Sequence, residues 1–294
     1  MIMRATENSI NEKICIQCCR CVGICPAKHL ELIGGRIVEL EDEALACIHC
    51  AHCMSVCPTQ AIIIKGYDYT EFEDLPDIIP GLDKFEVLLK SRRSCRSFQD
   101  KPVPREIIEK IIEIASLAPV SIPSHRVEIL VLDTGAKVAE LQPSLVKTIE
   151  QWDSMFSNPV GKFIMRFMMS SDELAQMQFI IPLIKGVVHG KDIGKDYVTY
   201  NAPAMLLFHA SRREDSFEEN CILAKTYAMI AAEGLGLGTC IIGWIPPIFK
   251  NNKKLKKQYS IPDENDVVGC LILGYPVSTH NRAIRRDFRS VRWV

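Results

Sequence analysis

The sequence has almost no net charge, no leading apolar segment and no uninterrupted run of apolar residues long enough to span a bilayer. Its 35 Lys and Arg against 36 Asp and Glu leave a balance of −1, which gives no global pull toward nucleic acid or anionic lipid. The opening stretch MIMRATENSINEK contains no apolar core of the kind a secretory leader needs, so no signal peptide is expected. The most apolar stretch, Ala228 to Ile248, is broken by Glu233, four glycines and two prolines, which excludes a membrane span there. A dinucleotide fingerprint is also missing: in Leu235-Gly236-Leu237-Gly238-Thr239-Cys240-Ile241 the last glycine of G-x-G-x-x-G is replaced by Ile241, and the run follows a helical stretch.

What is present is an ordinary globular balance, 48% apolar and 24% charged over 294 residues, enough for about two domains of roughly 100–200 residues. Cysteine is the exception. Nine of the 13 lie between Cys15 and Cys57, while Cys95, Cys221, Cys240 and Cys270 are scattered. Without a secretory leader such density points to metal rather than to disulfides, and to a cytoplasmic protein.

The clustered cysteines form a tandem repeat. Cys15-x2-Cys18-x2-Cys21-x3-Cys25-Pro26 recurs 32 residues later as Cys47-x2-Cys50-x2-Cys53-x3-Cys57-Pro58. Three thiolates within seven residues can wrap one face of a cubane, while the fourth, ahead of Pro, points away. The run is similar to that of dicluster bacterial ferredoxins, which implies two [4Fe–4S] clusters. One would take Cys15, Cys18, Cys21 and Cys57, the other Cys47, Cys50, Cys53 and Cys25. The rival is a pair of zinc sites, but zinc fingers space C-x2-C pairs over a longer loop. Cys19 fits neither spacing and reads as a thiol beside the ligands or in the core. His49 and His52 read as solvent-facing neighbours, and Pro26 and Pro58 as helix stops.

Between the repeats, LELIGGRIVEL reads as a hairpin around Gly34-Gly35, and Ala61 to Ile64 as a strand. Residues 1–65 are therefore expected to form the cluster domain. The acidic stretch 66–84, with Pro76 and Pro80 and no apolar period, reads as a linker to a second domain at 85–294. There, Pro104 is placed at the first position of a helix carrying Ile107, Ile108, Ile111, Ile112 and Ala115 at helical spacing. Val127 to Leu132, Thr239 to Ile242 and Val267 to Leu273 read as strands and Glu219 to Gly234 as a helix. Helices mixed with a few strands, without regular βαβ alternation, indicate an α+β fold. The Met-rich stretch 141–195 is expected to form helices buried in the core or in a dimer interface, or a lid over a substrate. The Lys250 to Lys257 cluster reads as a solvated helix face.

Ser91-Arg92-Arg93-Ser94-Cys95-Arg96-Ser97-Phe98, followed by Lys101-Pro102-Val103-Pro104, resembles the opening of the nitroreductase family of FMN enzymes. Arg92, Ser94 and Arg96 alternate, so on an extended segment they share one side, where guanidinium groups and a hydroxyl suit a phosphate or the pyrimidine edge of a flavin. By themselves they also suit a solvated basic turn, and Arg93 faces the other way. The resemblance continues through Ala118-Pro119-Val120-Ser121-Ile122-Pro123-Ser124-His125-Arg126, where Pro123 and His125 stand in place of the family's usual Asn and Gln. Asn201-Ala202-Pro203-Ala204 matches a family strand start. The Gly236 to Gly243 run matches the family segment beside the flavin, with Cys240 buried.

After Gly274-Tyr275-Pro276 come Arg282, Arg285, Arg286, Arg289 and Arg292. Arg282 and Arg286 best fit the family's phosphate clamp; a cationic tail touching a protein or RNA partner is the alternative for the rest. The resemblance thus implies an FMN site at Arg92, Arg93, Ser94, Arg96, Ser121, His125, Gly238, Thr239, Arg282 and Arg286, in an α/β sandwich behind a dicluster ferredoxin-like domain. It further implies a homodimeric oxidoreductase that passes electrons between its clusters and FMN to an electron-poor small molecule (a nitroaromatic, quinone or enone). NAD(P)H or a reduced ferredoxin is the candidate donor, no residue is nominated as general base or nucleophile, and oxygen-sensitive cubanes suggest an anaerobe's cytoplasm. A non-catalytic electron-transfer subunit and a redox sensor are the alternatives.

Overall fold

The computed structural model describes residues 7–40, 46–76, 81–121, 126–168, 170–250 and 252–294. The chain divides into two compact units, Met1–Pro80 with Ser121–Ser124, and Gly81–Val120 with His125–Val294.

The first unit is built from short pieces. Strand β1 (Ser9–Ile10) precedes helix α1 (Arg20–Ile24), the hairpin β2 (Leu30–Ile33) and β3 (Arg36–Glu39), helix α2 (His52–Ser55) and strand β4 (Ile62–Ile63). The hairpin forms because Gly34 and Gly35 both take positive φ, 58° and 78°, the backbone a two-residue turn requires. β4 pairs antiparallel with β1, Ser9 opposite Ile63. The core is small: Leu30, Ile37, Ala51, Cys53, Met54, Ile62 and Ile64, with most of the repeat cysteines packed against it. Tyr67, Tyr69 and Phe72 join that core, and a capping box closed by Asp68 and Glu71 starts a single 3-10 turn at Tyr69–Glu71. The start of the expected linker is therefore part of the first unit, because three aromatic rings outweigh its acidic composition.

The second unit opens with α3 (Leu82–Ser91), three residues inside the expected linker, followed by α4 (Arg105–Ala115). Pro104 is the N-cap of α4, one position ahead of the placement expected from its sequence. β5 (Glu128–Leu132), α5 (Gly135–Ser157), α6 (Pro159–Met168), α7 (Ser171–Asp192), β6 (Ala204–Ser211), α8 (Phe217–Gly234), β7 (Gly238–Ile241), α9 (Ile245–Lys250), α10 (Lys253–Gln258) and β8 (Asn265–Gly274) complete it. The sheet is antiparallel in the order β5-β6-β8-β7. Alternate residues of β6 face opposite layers. Met205 and Leu207 join Leu141, Leu145 and Ile149 of α5 and Phe249 of α9, while Leu206 and Phe208 join Ile111 of α4 and Ala228 of α8. The fold is an α+β sandwich with helices on both faces of the sheet.

Within the 141–195 stretch α5, α6 and α7 are helices as expected, and Leu141, Leu145, Ile149, Ile184 and Val187 belong to the core. Val160, Phe163, Phe167, Phe179 and Leu183 of α6 and α7 are exposed. Lys256 departs from the expected solvated face. It is 2% exposed, and its Nζ donates to the Asn265 carbonyl at 2.6 Å and to Asp266 at 3.2 Å. A cation inside a protein survives only when paired in this way. Among the described residues no helix is long and apolar enough to cross a membrane.

Candidate functional site

The thiolate region repeats in backbone as well as in sequence. Gln17 and His49 take φ of 57° and 53°, Cys19 and Ala51 56° and 57°, Lys28 and Gln60 55° and 53°. Each pair is separated by the 32-residue period, and none is glycine. Left-handed conformations cost energy outside glycine and concentrate at functional sites. Alternating right- and left-handed residues turn successive amides inward into a concavity for anions, a device common at iron–sulfur sites.

Cys15, Cys18, Cys21 and Cys57 line one cavity together with Ile10, Ile16, Cys19 and Thr59. The fourth cysteine of the second repeat thus lines the same cavity as three of the first repeat. Cys53 lies within electrostatic reach of Cys47 and Cys50, and Cys25 packs on the same core. Among the described residues no three His, Cys, Asp or Glu side chains are close enough to share one metal ion. A cubane gives each thiolate its own iron and asks for wider spacing than a tetrahedral zinc ion. His49 and His52 are exposed, in keeping with solvent-facing neighbours. Cys19 caps α1, its Sγ 3.4 Å from the Gln17 carbonyl.

The sulfurs differ in surroundings. Burial pushes the Cys53 thiol up to about 12. Cys57 is also partly buried, but the Ala61, Thr59 and Ile62 amides and the Thr59 hydroxyl outweigh burial and bring it below the ordinary thiol value. The Ala61 amide donates to Cys57 Sγ at 3.1 Å, and Thr59 Oγ1 lies 3.8 Å away.

In the second unit the segment after α3 is stitched to two places. Ser94 bridges Thr239 in parallel and Phe98 bridges Pro276 antiparallel; the Cys95 amide donates to the Thr239 carbonyl at 2.8 Å, and the Val277 amide to the Ser97 carbonyl at 3.1 Å. This holds Arg92, Arg93, Ser94 and Arg96 against β7. The Arg96 guanidinium lies 5.8 Å from the Tyr200 ring centroid, and burial pushes the Cys240 thiol up, with Arg96, the Ser94 hydroxyl and Arg92 only partly opposing it. Gly238 accommodates a neighbour in the protein itself: an added Cβ would stand 2.7 Å from both Cβ and Sγ of Cys95. Thr239 is fully buried, and its Oγ1 has no hydrogen-bond partner among the described residues.

Arg92 and Arg93 share a surface cavity with Lys90, Arg285 and Arg286, with Glu86 and Asp287 also on the wall. Glu86 is occupied by Lys90 at 2.7 Å. Arg93 is thus on the same cavity as Arg92 despite the alternation expected from sequence. Arg282 lies on the exposed tail and does not line this cavity. Ser121 is half-buried and belongs to the short segment grouped with the first unit. His125 and Pro123 lie outside the described residues.

Residues 89–275 match the family model described as the nitroreductase family. The chain belongs to the nitroreductase family. It is accordingly an oxidoreductase. Residues 14–62 match the model of a 4Fe-4S dicluster domain, so the chain carries an iron–sulfur module ahead of its nitroreductase-family fold. The chain is 26% identical over 199 residues to a nitrobenzene nitroreductase of Ectopseudomonas oleovorans, covering 64% of this chain and 85% of that one. It is similar in fold to a nitroreductase of Bacteroides fragilis solved with bound FMN, at 17% identity and a TM-score of 0.54, covering 72% and 98% of the two chains. An FMN-dependent nitroreductase of Clostridium difficile gives a TM-score of 0.53 at 16% identity over 72% and 99%.

The sequence alone did not bring out Lys90, Thr59 and Tyr69. Lys90 lies just upstream of the basic motif and only the turn at the end of α3 swings it into the cavity. Thr59 could have been found by comparing the two repeats beyond their cysteines, since Ala27 occupies its place in the first. Tyr69 sat in the stretch read as linker, and its hydroxyl donates to the Ile62 carbonyl at 2.8 Å.

Proposed function

We propose that this chain is an FMN-dependent reductase supplied with electrons through two [4Fe–4S] clusters, one on Cys15, Cys18, Cys21 and Cys57 and the other on Cys47, Cys50, Cys53 and Cys25. The observation that carries the flavin part is the cavity in which Arg92 and Arg93 meet Arg286 from the far end of the chain. A phosphate needs about two cationic partners with forked donors, and this cavity offers more than that. The buried Thr239 hydroxyl, without a partner among the described residues, supports the same reading, since such a group ordinarily finds one. Both features fit FMN, which the related structures were solved with or depend on.

Bound there, FMN would supply the hydride or single-electron chemistry, as cofactors generally do. The protein's part is to bind and orient. Arg92, Arg93 and Arg286 neutralise the phosphate, with Lys90 held on the rim by Glu86. Arg96 is oriented by the face of Tyr200. Ser94 and Thr239 present hydroxyls on paired backbone, and Cys95, seated against Gly238, fixes the register of that pair.

The acceptor is an electron-poor small molecule of nitroaromatic, quinone or enone type, a reading supported by the substrate in the nitrobenzene relative's name. The donor is NAD(P)H or a reduced ferredoxin. The exposed apolar side chains of α6 and α7 support a homodimer. The deciding experiment is an anaerobic visible spectrum of the purified protein before and after NADH, NADPH or dithionite. A flavin band that bleaches with a nicotinamide assigns that donor; bleaching only with dithionite or reduced ferredoxin makes the clusters the entrance. Absence of a flavin band after FMN is supplied overturns the reading.

A further inference from the structure

The two halves of the cysteine repeat are alike in backbone and unlike in what they offer their fourth sulfur. At the position two residues after the fourth cysteine the first repeat has Ala27 and the second Thr59. Thr59 Oγ1 lies 3.8 Å from Cys57 Sγ, within reach for the large sulfur atom. Once Cys57 is bonded to iron its sulfur has no proton, so the hydroxyl is the donor. The Ala61 amide adds a shorter contact of 3.1 Å. Ala27 has no hydroxyl to offer Cys25.

In the other thiolate set, Cys47 receives the His49 amide at 3.4 Å and the Asn8 side chain, while Cys53 is only 7% exposed. Hydrogen bonds to the sulfurs favour the more negative, reduced cluster, and burial disfavours it. The donors on Cys47 favour reduction of its own cluster, while the closer amide and the hydroxyl on Cys57 and the burial of Cys53 both favour reduction of the Cys57 cluster.

Resting on the two-cluster reading above, we propose that the clusters are inequivalent and that Thr59, with the Ala61 amide, makes the cluster held by Cys57 the easier to reduce. Thr59 is a positioning residue for charge, not a ligand. An electron entering the unit then settles first on the Cys57 cluster, one cluster being reduced for each electron accepted.

The test is an anaerobic redox titration of the full iron-loaded chain, followed by electron paramagnetic resonance, on the native protein and three variants. The native chain should show two midpoints. Thr59→Val should lower only the higher one, by up to about tenfold in the reduction equilibrium, which is about 59 mV for a one-electron couple. Thr59→Ser should restore it, and Ala27→Ser should raise the lower one. A single native midpoint, or a Thr59→Val protein with unchanged iron and both midpoints unmoved, overturns the proposal and leaves the iron–sulfur reading standing. No [4Fe–4S] signal in the native chain overturns both. Should Thr59→Val fail to hold iron, Ala27→Ser decides: a lower midpoint that stays where it was overturns the proposal.

Discussion

Arg286 reaches the basic cavity on a segment with neither helix nor strand, so its contribution is charge delivered by a tether. Arg286→Ala should weaken FMN binding by at least tenfold, the scale of losing one charge-assisted hydrogen bond at about 1.5–3 kcal/mol. Riboflavin, which lacks the phosphate, should bind as before. Titration of flavin fluorescence with each ligand separates the two cases, and equal losses would move Arg286 away from the phosphate. Gly238→Ala drives a methyl into Cys95 and should lower the urea stability of the second unit by about 1–3 kcal/mol, the usual cost of overpacking. The basic motif was legible because charge and serine recur at fixed spacing. The role of Gly238 was not, since the atom it must admit belongs to a side chain distant in sequence.

Strands β6 and β8 share a polar end that the sequence hides. Asn265 of β8 donates from Nδ2 to Glu128 of β5 at 2.6 Å and lies 3.0 Å from His209 Nδ1 of β6. Burial holds His209 below its usual value of 6.5, with Lys256 pushing the same way and the Glu128 charge opposing. Its neutral form is the folded form, so its stabilising contribution is complete above pH 6.5 and declines as pH falls toward the depressed folded value. His209→Gln should flatten the urea midpoint over that interval; an unchanged slope would assign the pH dependence elsewhere. Beside it, Asp266 holds both Lys256 and Arg212, the latter at 2.7 Å. Lys256→Met removes one partner of a buried pair and should cost about 3 kcal/mol, the low end for such breaks because Arg212 remains; thermal unfolding reads it directly. The hairpin at Gly34-Gly35 and the strands around Val127, Thr239 and Val267 were visible in turn residues and β-branched runs. The buried Lys256 was not, because a lysine-rich helix gives no local sign that an aspartate ten residues on turns one lysine inward. Strand β1, only Ser9 and Ile10, owes its existence to its partner β4 and leaves no pattern of its own.

Over the whole chain the two units rest on unequal foundations. The second has a sheet covered on both faces, with buried clusters spread over six helices and four strands. The first has seven buried core residues among those described, and a core of that size in fewer than about 80 residues rarely supplies more than about 3–5 kcal/mol. Its folding is therefore expected to lean on iron, as in other small metal-bound domains. Anaerobic chelation of iron should expose residues 7–76 to proteolysis while the second unit keeps its protection and its flavin. Hydrogen exchange on the chelated protein measures both at once, and joint loss of protection would contradict this independence.

The 32-residue recurrence of left-handed residues has an evolutionary reading. On the proposed ligand sets each half keeps three sulfurs for its own cluster and lends the fourth to its twin, so neither half is complete alone. Two separate copies of such a peptide could close both sites only by meeting in solution, at a cost set by dilution. Joining them in tandem makes the encounter intramolecular, at an effective concentration that short tethers raise to the millimolar range. Once the halves are covalently joined they are also free to diverge, and the exchange of Ala27 for Thr59 is one divergence that a symmetric ancestor could not have carried.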